Sequence, residues 1–199
     1  MPDFSYEIAA KAKGFSFVCG VDEAGRGPLM GPVCAAAVIL PEDCEIDGLN
    51  DSKKLSEKKR EQLFPIITEK ALAYSVAFAS VEEIEKFNIL EATFLAMNRA
   101  IEGLNLPAEY ALIDGNKIPK GIKIPAEAVV KGDAKSMSIA AASVLAKVSR
   151  DRLMENYDKE FPQYNFLKHK GYGTAEHIAL IKEFGPCPLH RMSFLKNIK

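Results

Sequence analysis

Residues Pro32 to Leu40 read PVCAAAVIL, a run that is small and apolar on both faces of an extended chain. A strand with one wet face alternates apolar and polar residues, so this one belongs at the centre of a sheet covered on both sides. That selects a layered α/β arrangement over an open, half-solvated sheet. The run is also the longest apolar stretch, and it is far too short to span a bilayer.

The rest of the chain supplies the layers. A short leading helix is expected within residues 2–13, then a strand from Phe15 to Val21 that delivers Asp22 and Glu23 at its end. Ser56 is a good N-cap for a helix that reaches at least Phe64, where Pro65 kinks or closes it. Ala71 to Ala79 reads as a strand, and Ser80-Val81-Glu82-Glu83 has the form of a capping box. Apolar residues at 90, 94, 97, 101 and 104 make a helical stripe between Ile89 and Leu104. Short strands are expected at Tyr110–Ile113 and Ala126–Val130, a long helix from Ser138 to Tyr157, and a last helix from Thr174 to Phe184. The chain of 199 residues fits one domain, with residues from about 160 to 199 as a helical and irregular C-terminal extension.

Formal net charge is -1, which argues against a wholly basic nucleic-acid binder and leaves polyanion contacts to local patches. The four cysteines form no CxxC pair and read as buried, reduced thiols. The N-terminal stretch has no apolar core of a secretory signal, so a cytoplasmic protein is expected. His169, His177 and His190 lack the spacing of a zinc site, and neither a nucleophile-elbow serine nor a Walker A loop is present.

One pattern recurs three times: an apolar strand runs into an acid beside glycine. It appears at Gly20-Val21-Asp22-Glu23, Leu112-Ile113-Asp114-Gly115 and Val129-Val130-Lys131-Gly132-Asp133. Any one Asp-Gly pair alone is an ordinary turn signal. If the strands end on one side of one sheet, up to four carboxylates converge, and like charges at short range raise one another's pKa. A divalent cation such as Mg²⁺ resolves that conflict through oxygen ligands. Two such ions about 4 Å apart can clamp the attacking and leaving oxygens of a phosphodiester.

Asp22-Glu23-Ala24-Gly25-Arg26-Gly27-Pro28 followed by Gly31-Pro32-Val33 resembles the opening motif of ribonuclease HII. The resemblance continues in order through Asp51-Ser52-Lys53-Lys54-Leu55-Ser56, Ile113-Asp114-Gly115, Lys131-Gly132-Asp133, Ala146-Lys147-Val148-Ser149-Arg150-Asp151, His169-Lys170-Gly171-Tyr172-Gly173-Thr174 and His190-Arg191 with Ser193-Phe194. These blocks span residues 18 to 194. The related ribonuclease HIII carries an extra N-terminal domain, for which a first acid at position 22 leaves no room.

The resemblance implies a ribonuclease H-like mixed sheet flanked by helices. It implies a metal-dependent endonuclease that cuts the RNA strand of RNA–DNA hybrids and nicks duplex DNA 5′ of a single embedded ribonucleotide, leaving 5′-phosphate and 3′-hydroxyl ends. Two divalent ions, Mg²⁺ or Mn²⁺, would be held by Asp22, Glu23, Asp114 and Asp133, with Asp22 bridging both. Glu23 and Asp114 would complete the leaving-group site, and Asp133 the water-activating site. Gly25-Arg26-Gly27 would grip the 2′-hydroxyl, the group by which proteins tell RNA from DNA. Tyr172 would stack on the sugar after the ribonucleotide. Lys53, Lys147 and Arg150 are candidate phosphate contacts, Lys54, Lys168 and Lys170 weaker ones. A monomer is expected, and the tail shows no clamp-binding box. Two other readings stay open: a related nuclease for structured DNA, and a non-catalytic hybrid-binding module. A small-substrate phosphatase would not explain the lysine-rich loops or Tyr172.

Overall fold

The computed structural model describes residues 1–196. The last three residues of the expected C-terminal extension, and of the tail read for a clamp-binding box, lie outside them. Five strands form one mixed sheet: β1 (Val18–Ala24), β2 (Val33–Ile39), β3 (Ala73–Ala79), β4 (Tyr110–Asp114) and β5 (Ala126–Val129). Their order is β3-β2-β1-β4-β5. β2 runs antiparallel to both β1 and β3, whereas β4 is parallel to β1 and β5.

β2 is buried along its whole length, as its composition requires. Val33, Ala35, Ala37 and Ile39 face one layer, built on α4 (Ile89–Glu102). Cys34, Ala36 and Val38 face the other, where α5 (Met137–Glu160) and Leu63 and Ile67 of α2 (Glu57–Lys70) pack. The run Ala140-Ala141-Ala142 has no exposed surface, so the small side chains let α5 lie close on the sheet. Gly20 serves the same approach, because a Cβ there would collide with the backbone of Ser138 and Ile139. Any larger residue at Ala141 should overpack this layer, at about 1–3 kcal/mol.

Several boundaries differ from the expected ones for physical reasons. β1 starts later and ends later, because its antiparallel pairing with β2 continues through Glu23↔Ala35 and Ala24↔Cys34. Asp22 and Glu23 are therefore strand residues, not a strand's exit. α2 runs past Pro65 to Lys70, since Leu63 and Ile67 are both buried and hold the two halves on one axis. The capping box at Ser80 forms with both bonds, opening α3 (Val81–Phe87). All four cysteines are buried and unpaired.

After α5 come α6 (Phe166–His169), α7 (Ala175–Phe184) and α8 (Met192–Leu195). Tyr164, Phe166 and Cys187 pack there against Met30 and Met154, fastening this segment to the loop after β1 and to the end of α5. A short helix α1 (Ser5–Ala12) precedes the sheet; its buried Glu7 accepts from the Ser136 hydroxyl and the Ser138 amide at the start of α5. Among the described residues no helix is long and apolar enough to cross a membrane.

Candidate active site

Parallel pairing places Val21 beside Ile113, so one step further along both strands the neighbours are Asp22 and Asp114. Side chains alternate across a strand. Val21 and Ile113 face α4, which leaves Asp22 and Asp114 on the α5 face. Beyond β5 the chain turns through Lys131, which adopts a left-handed conformation (φ 57°), into a single 3₁₀ turn at Gly132–Ala134. Asp114 Oδ1 accepts the Gly132 amide at 2.6 Å and the Asp133 amide at 3.4 Å. These bonds draw Asp133 alongside. One oxygen from each of Asp22, Asp114 and Asp133 then lies within 4.8 Å of the others.

Glu23, the fourth expected acid, is not in that tight group. Alternation sends it towards the other face of the sheet, beside Leu90, Thr93 and Phe94 of α4 and beside Asp114. Its carboxylate meets Arg26 Nη1 at 3.4 Å. Three acids thus form the cluster and Glu23 flanks it.

The cluster is electrostatically unsatisfied. Burial, followed by the charges of Glu23 and Asp114, holds the Asp22 carboxyl well above the usual carboxylate range. Asp133 is raised by burial and by Asp114 and Asp51, and Glu23 by burial and Asp114 against the pull of Arg26. Lys53 Nζ stands 3.8 Å from Asp133 Oδ2. Its burial opposes the charged form, but Asp22 and Asp133 hold its pKa above the ordinary value. Its side chain is 77% exposed, so it screens the acids rather than neutralising them.

Beside the acids opens a cleft of about 440 Å³. Gly25, Arg26, Gly27, Lys53, Lys147 and Tyr172 line it, together with Glu23 and Ser52. Residues expected from four separate stretches of the chain therefore share one concavity. Tyr172 is exposed, and a Cβ on Gly27 would stand 3.6 Å from its ring. Lys147 is held at 2.7 Å by Asp151, and burial lowers its pKa.

Arg150 is placed differently from the sequence expectation. It has no exposed surface, and its guanidinium donates to the carbonyls of Lys170, Met30 and Pro32. Beneath the turn it is a support, not a phosphate contact; a Cβ on Gly25, whose φ is +95°, would collide with it. The burial was readable from periodicity: Ala142, Ala146, Arg150 and Met154 lie four apart on one helical face, and all four are buried.

Residue-level reading also missed the hydroxyls behind Asp22. Ser52 and Ser143 are hydrogen-bonded at 2.7 Å, and the Ser143 hydroxyl near Asp22 favours its charged form against the burial. Arg191 was quoted in the motif but given no role; it lies buried under the Gly25–Gly31 loop.

A mixed five-stranded sheet with helices on both faces and acids gathered where its central parallel strands end defines a nuclease of the ribonuclease H-like class. The family model for ribonuclease HII matches residues 19–197. Ribonuclease HII of Caldicellulosiruptor saccharolyticus is 55% identical over 195 residues, covering 98% of this chain and 95% of its own length. The crystal structure of ribonuclease H2 from Pyrococcus horikoshii OT3 superposes with a TM-score of 0.75 at 27% identity, covering 92% of this chain and 97% of that one. The RNase HII in a PCNA:RNase HII complex from Archaeoglobus fulgidus gives 0.69 at 26% identity, covering 89% and 94%. The chain belongs to the ribonuclease HII family, and it is a ribonuclease H endonuclease that acts on RNA–DNA hybrids.

Proposed function

We propose that this enzyme, besides cutting the RNA strand of hybrids, nicks duplex DNA on the 5′ side of a single embedded ribonucleotide and leaves 5′-phosphate and 3′-hydroxyl ends. One observation carries the reading: the Gly25-Arg26-Gly27 turn and Tyr172 line the cleft that also holds Glu23, immediately beside the acid cluster. A sugar read at the turn then lies about one phosphate from the bond presented to the acids.

The donor set fits divalent ions. It consists of carboxylate oxygens only, mutually repelling and buried at Asp22 and Asp133, which is the environment hard cations of the Mg²⁺ or Mn²⁺ type stabilise. Asp22, Asp114 and Asp133 would hold them, with Glu23 at the flank. When bound, such ions supply positive charge against the oxygens of the scissile phosphodiester. The protein's own groups do the rest. Arg26 orients Glu23. Lys53 adds a cation at the rim of the cluster. The glycines let backbone amides approach the 2′-hydroxyl without side-chain interference. Tyr172 stacks on the deoxyribose that follows.

Acids, turn and tyrosine all come from one chain, which supports a monomer as the working unit: a ribonuclease H-like domain over residues 1–199 with its extension from about 160. Four buried, unpaired thiols support a reducing, cytoplasmic setting.

A DNA duplex carrying one ribonucleotide, incubated with Mg²⁺, Mn²⁺ or chelator, tests the proposal. The expected product is a single nick 5′ of the ribonucleotide with either ion and none with chelator. Equal cutting of an all-DNA duplex, or of a four-way junction, would contradict it.

A further inference from the structure

The loop from Gly25 to Pro32 carries three glycines and two prolines, and two of its glycines have positive φ, +95° at Gly25 and +75° at Gly31. At the turn itself Gly25, Arg26 and Gly27 bring no buried side chain to fix their peptide planes, and glycine leaves many conformations open. Two buried arginines restrain it: Arg150 holds the carbonyls of Met30 and Pro32 at its far end, and Arg191 holds the turn itself. Arg191 has no exposed surface. Its Nη2 donates to the Gly25 carbonyl at 2.6 Å, its Nη1 to the carbonyls of Arg26 at 3.0 Å and Pro28 at 2.8 Å, and its Nε to that of Gly31 at 2.9 Å. No carboxylate pairs with it among the described residues. The planar fork is spent on the loop's backbone.

The consequence follows from peptide geometry. In a trans peptide the C=O and the next residue's N–H point opposite ways. With the carbonyls of Gly25 and Arg26 turned inward to Arg191, the amides of Arg26 and Gly27 face outward, on the side where the turn lines the cleft. Neither amide has an acceptor among the described residues. The backbone on either side is pinned as well: Leu29 N–H donates to the Gly171 carbonyl, Gly31 N–H to that of Leu189, and Arg191 N–H to that of Leu29, each at 2.8 Å.

We propose that Arg191 is a positioning residue for ribonucleotide recognition, which aims the amides of Arg26 and Gly27 into the cleft by holding the carbonyls of Gly25 and Arg26 behind them. This rests on the reading of that turn as the part that meets the ribonucleotide. Lysine cannot replace the arginine here, because one ammonium nitrogen cannot reach carbonyls spread from Gly25 to Gly31.

Binding measured in chelator, on a duplex with one ribonucleotide and on the same duplex in all-DNA form, tests it. The unmodified enzyme should prefer the first. Arg191→Lys should lose that preference about tenfold while keeping its affinity for all-DNA duplex, a ratio that general loosening of the fold would not move. Gly27→Ala, whose methyl group makes only ordinary contact with Tyr172 but stands where the sugar approaches, should lose it too. If Gly27→Ala loses the preference and Arg191→Lys keeps it, the positioning role is overturned and the turn reading survives. If neither loses it, both fall. Loss in Arg191→Lys alone would mean the arginine acts by another route, which also overturns the inference. Should Arg191→Lys not fold, structures of the unmodified enzyme free and on ribonucleotide duplex decide: the same four carbonyls on Arg191 in both supports it, and a turn that swings away on binding overturns it.

Discussion

Two charged regions flank the cleft, and they are built on opposite electrostatic plans. At the carboxylate end, Asp22, Asp114 and Asp133 crowd together with only a solvent-exposed lysine opposite. Under the Gly25–Gly27 turn, Arg150 and Arg191 are buried, but carbonyl oxygens satisfy them. The neighbouring histidines are equally settled. His177 Nδ1–H donates to the Tyr172 carbonyl, which leaves its Nε2 to accept from His190 Nε2–H at 3.1 Å; His190 Nδ1 then accepts the Cys187 amide. His169 donates from Nε2 to the Tyr164 carbonyl and accepts the Gly171 amide at Nδ1. Every ring is neutral with its tautomer assigned by its partners. The contrast separates a site that needs something added from a scaffold that is complete.

The largest effect that could break this contrast lies at the acids. Asp22→Asn should lower the cleavage rate at least about a thousandfold, the scale of losing a central electrostatic stabiliser, while duplex affinity changes less than about threefold. Steady-state cleavage and filter binding on one preparation check both halves. Tyr172→Ala should weaken cutting at a single ribonucleotide by about tenfold, within the range of one lost stacking contact, with a smaller effect on long hybrids. Competition between the two substrates reads this directly. Lys53→Met should cost a few-fold in affinity and reduce the salt slope of binding by about one.

The smallest effect is a difference in pH response in chelator. The acids' folded pKa values are raised, so the stability linked to them is present at low pH and lost as pH rises through those values. The histidines are lowered, His177 by burial to about 4, so their contribution is present above the ordinary value of 6.5 and lost as pH falls towards 4. As pH falls the two act in opposite directions. Asp133→Asn removes part of the relief, so its melting temperature should fall more steeply with acid than that of the unmodified enzyme; parallel curves would argue against the contrast.

What the sequence revealed follows the same division. Strand-then-acid-then-glycine is a local pattern, and β2's two apolar faces are written in consecutive residues, so sheet, layers and acids could be read directly. Glu23's separation from the cluster needed the strand register, because it depends on β1 continuing to Ala24. The arginine scaffold was not readable as contacts. Arg191's partners are carbonyls 160 to 166 residues away, and a carbonyl leaves no mark in residue identity. The histidine chain is likewise assembled by packing among α6, α7 and the segment after them, not by spacing.

The central claim, that the carboxylate end is incomplete without a divalent ion, is most directly tested by thermal unfolding at pH 7.5 with chelator and with Mn²⁺ or Mg²⁺ tenfold above its dissociation constant. At that excess an ion bound only by the folded state adds about 1.4 kcal/mol, or roughly 3–6 °C for a chain of this size. The account predicts that rise for the unmodified enzyme and little or none for Asp22→Asn. An unchanged melting temperature in the unmodified enzyme, or an equal rise in both proteins, would contradict it.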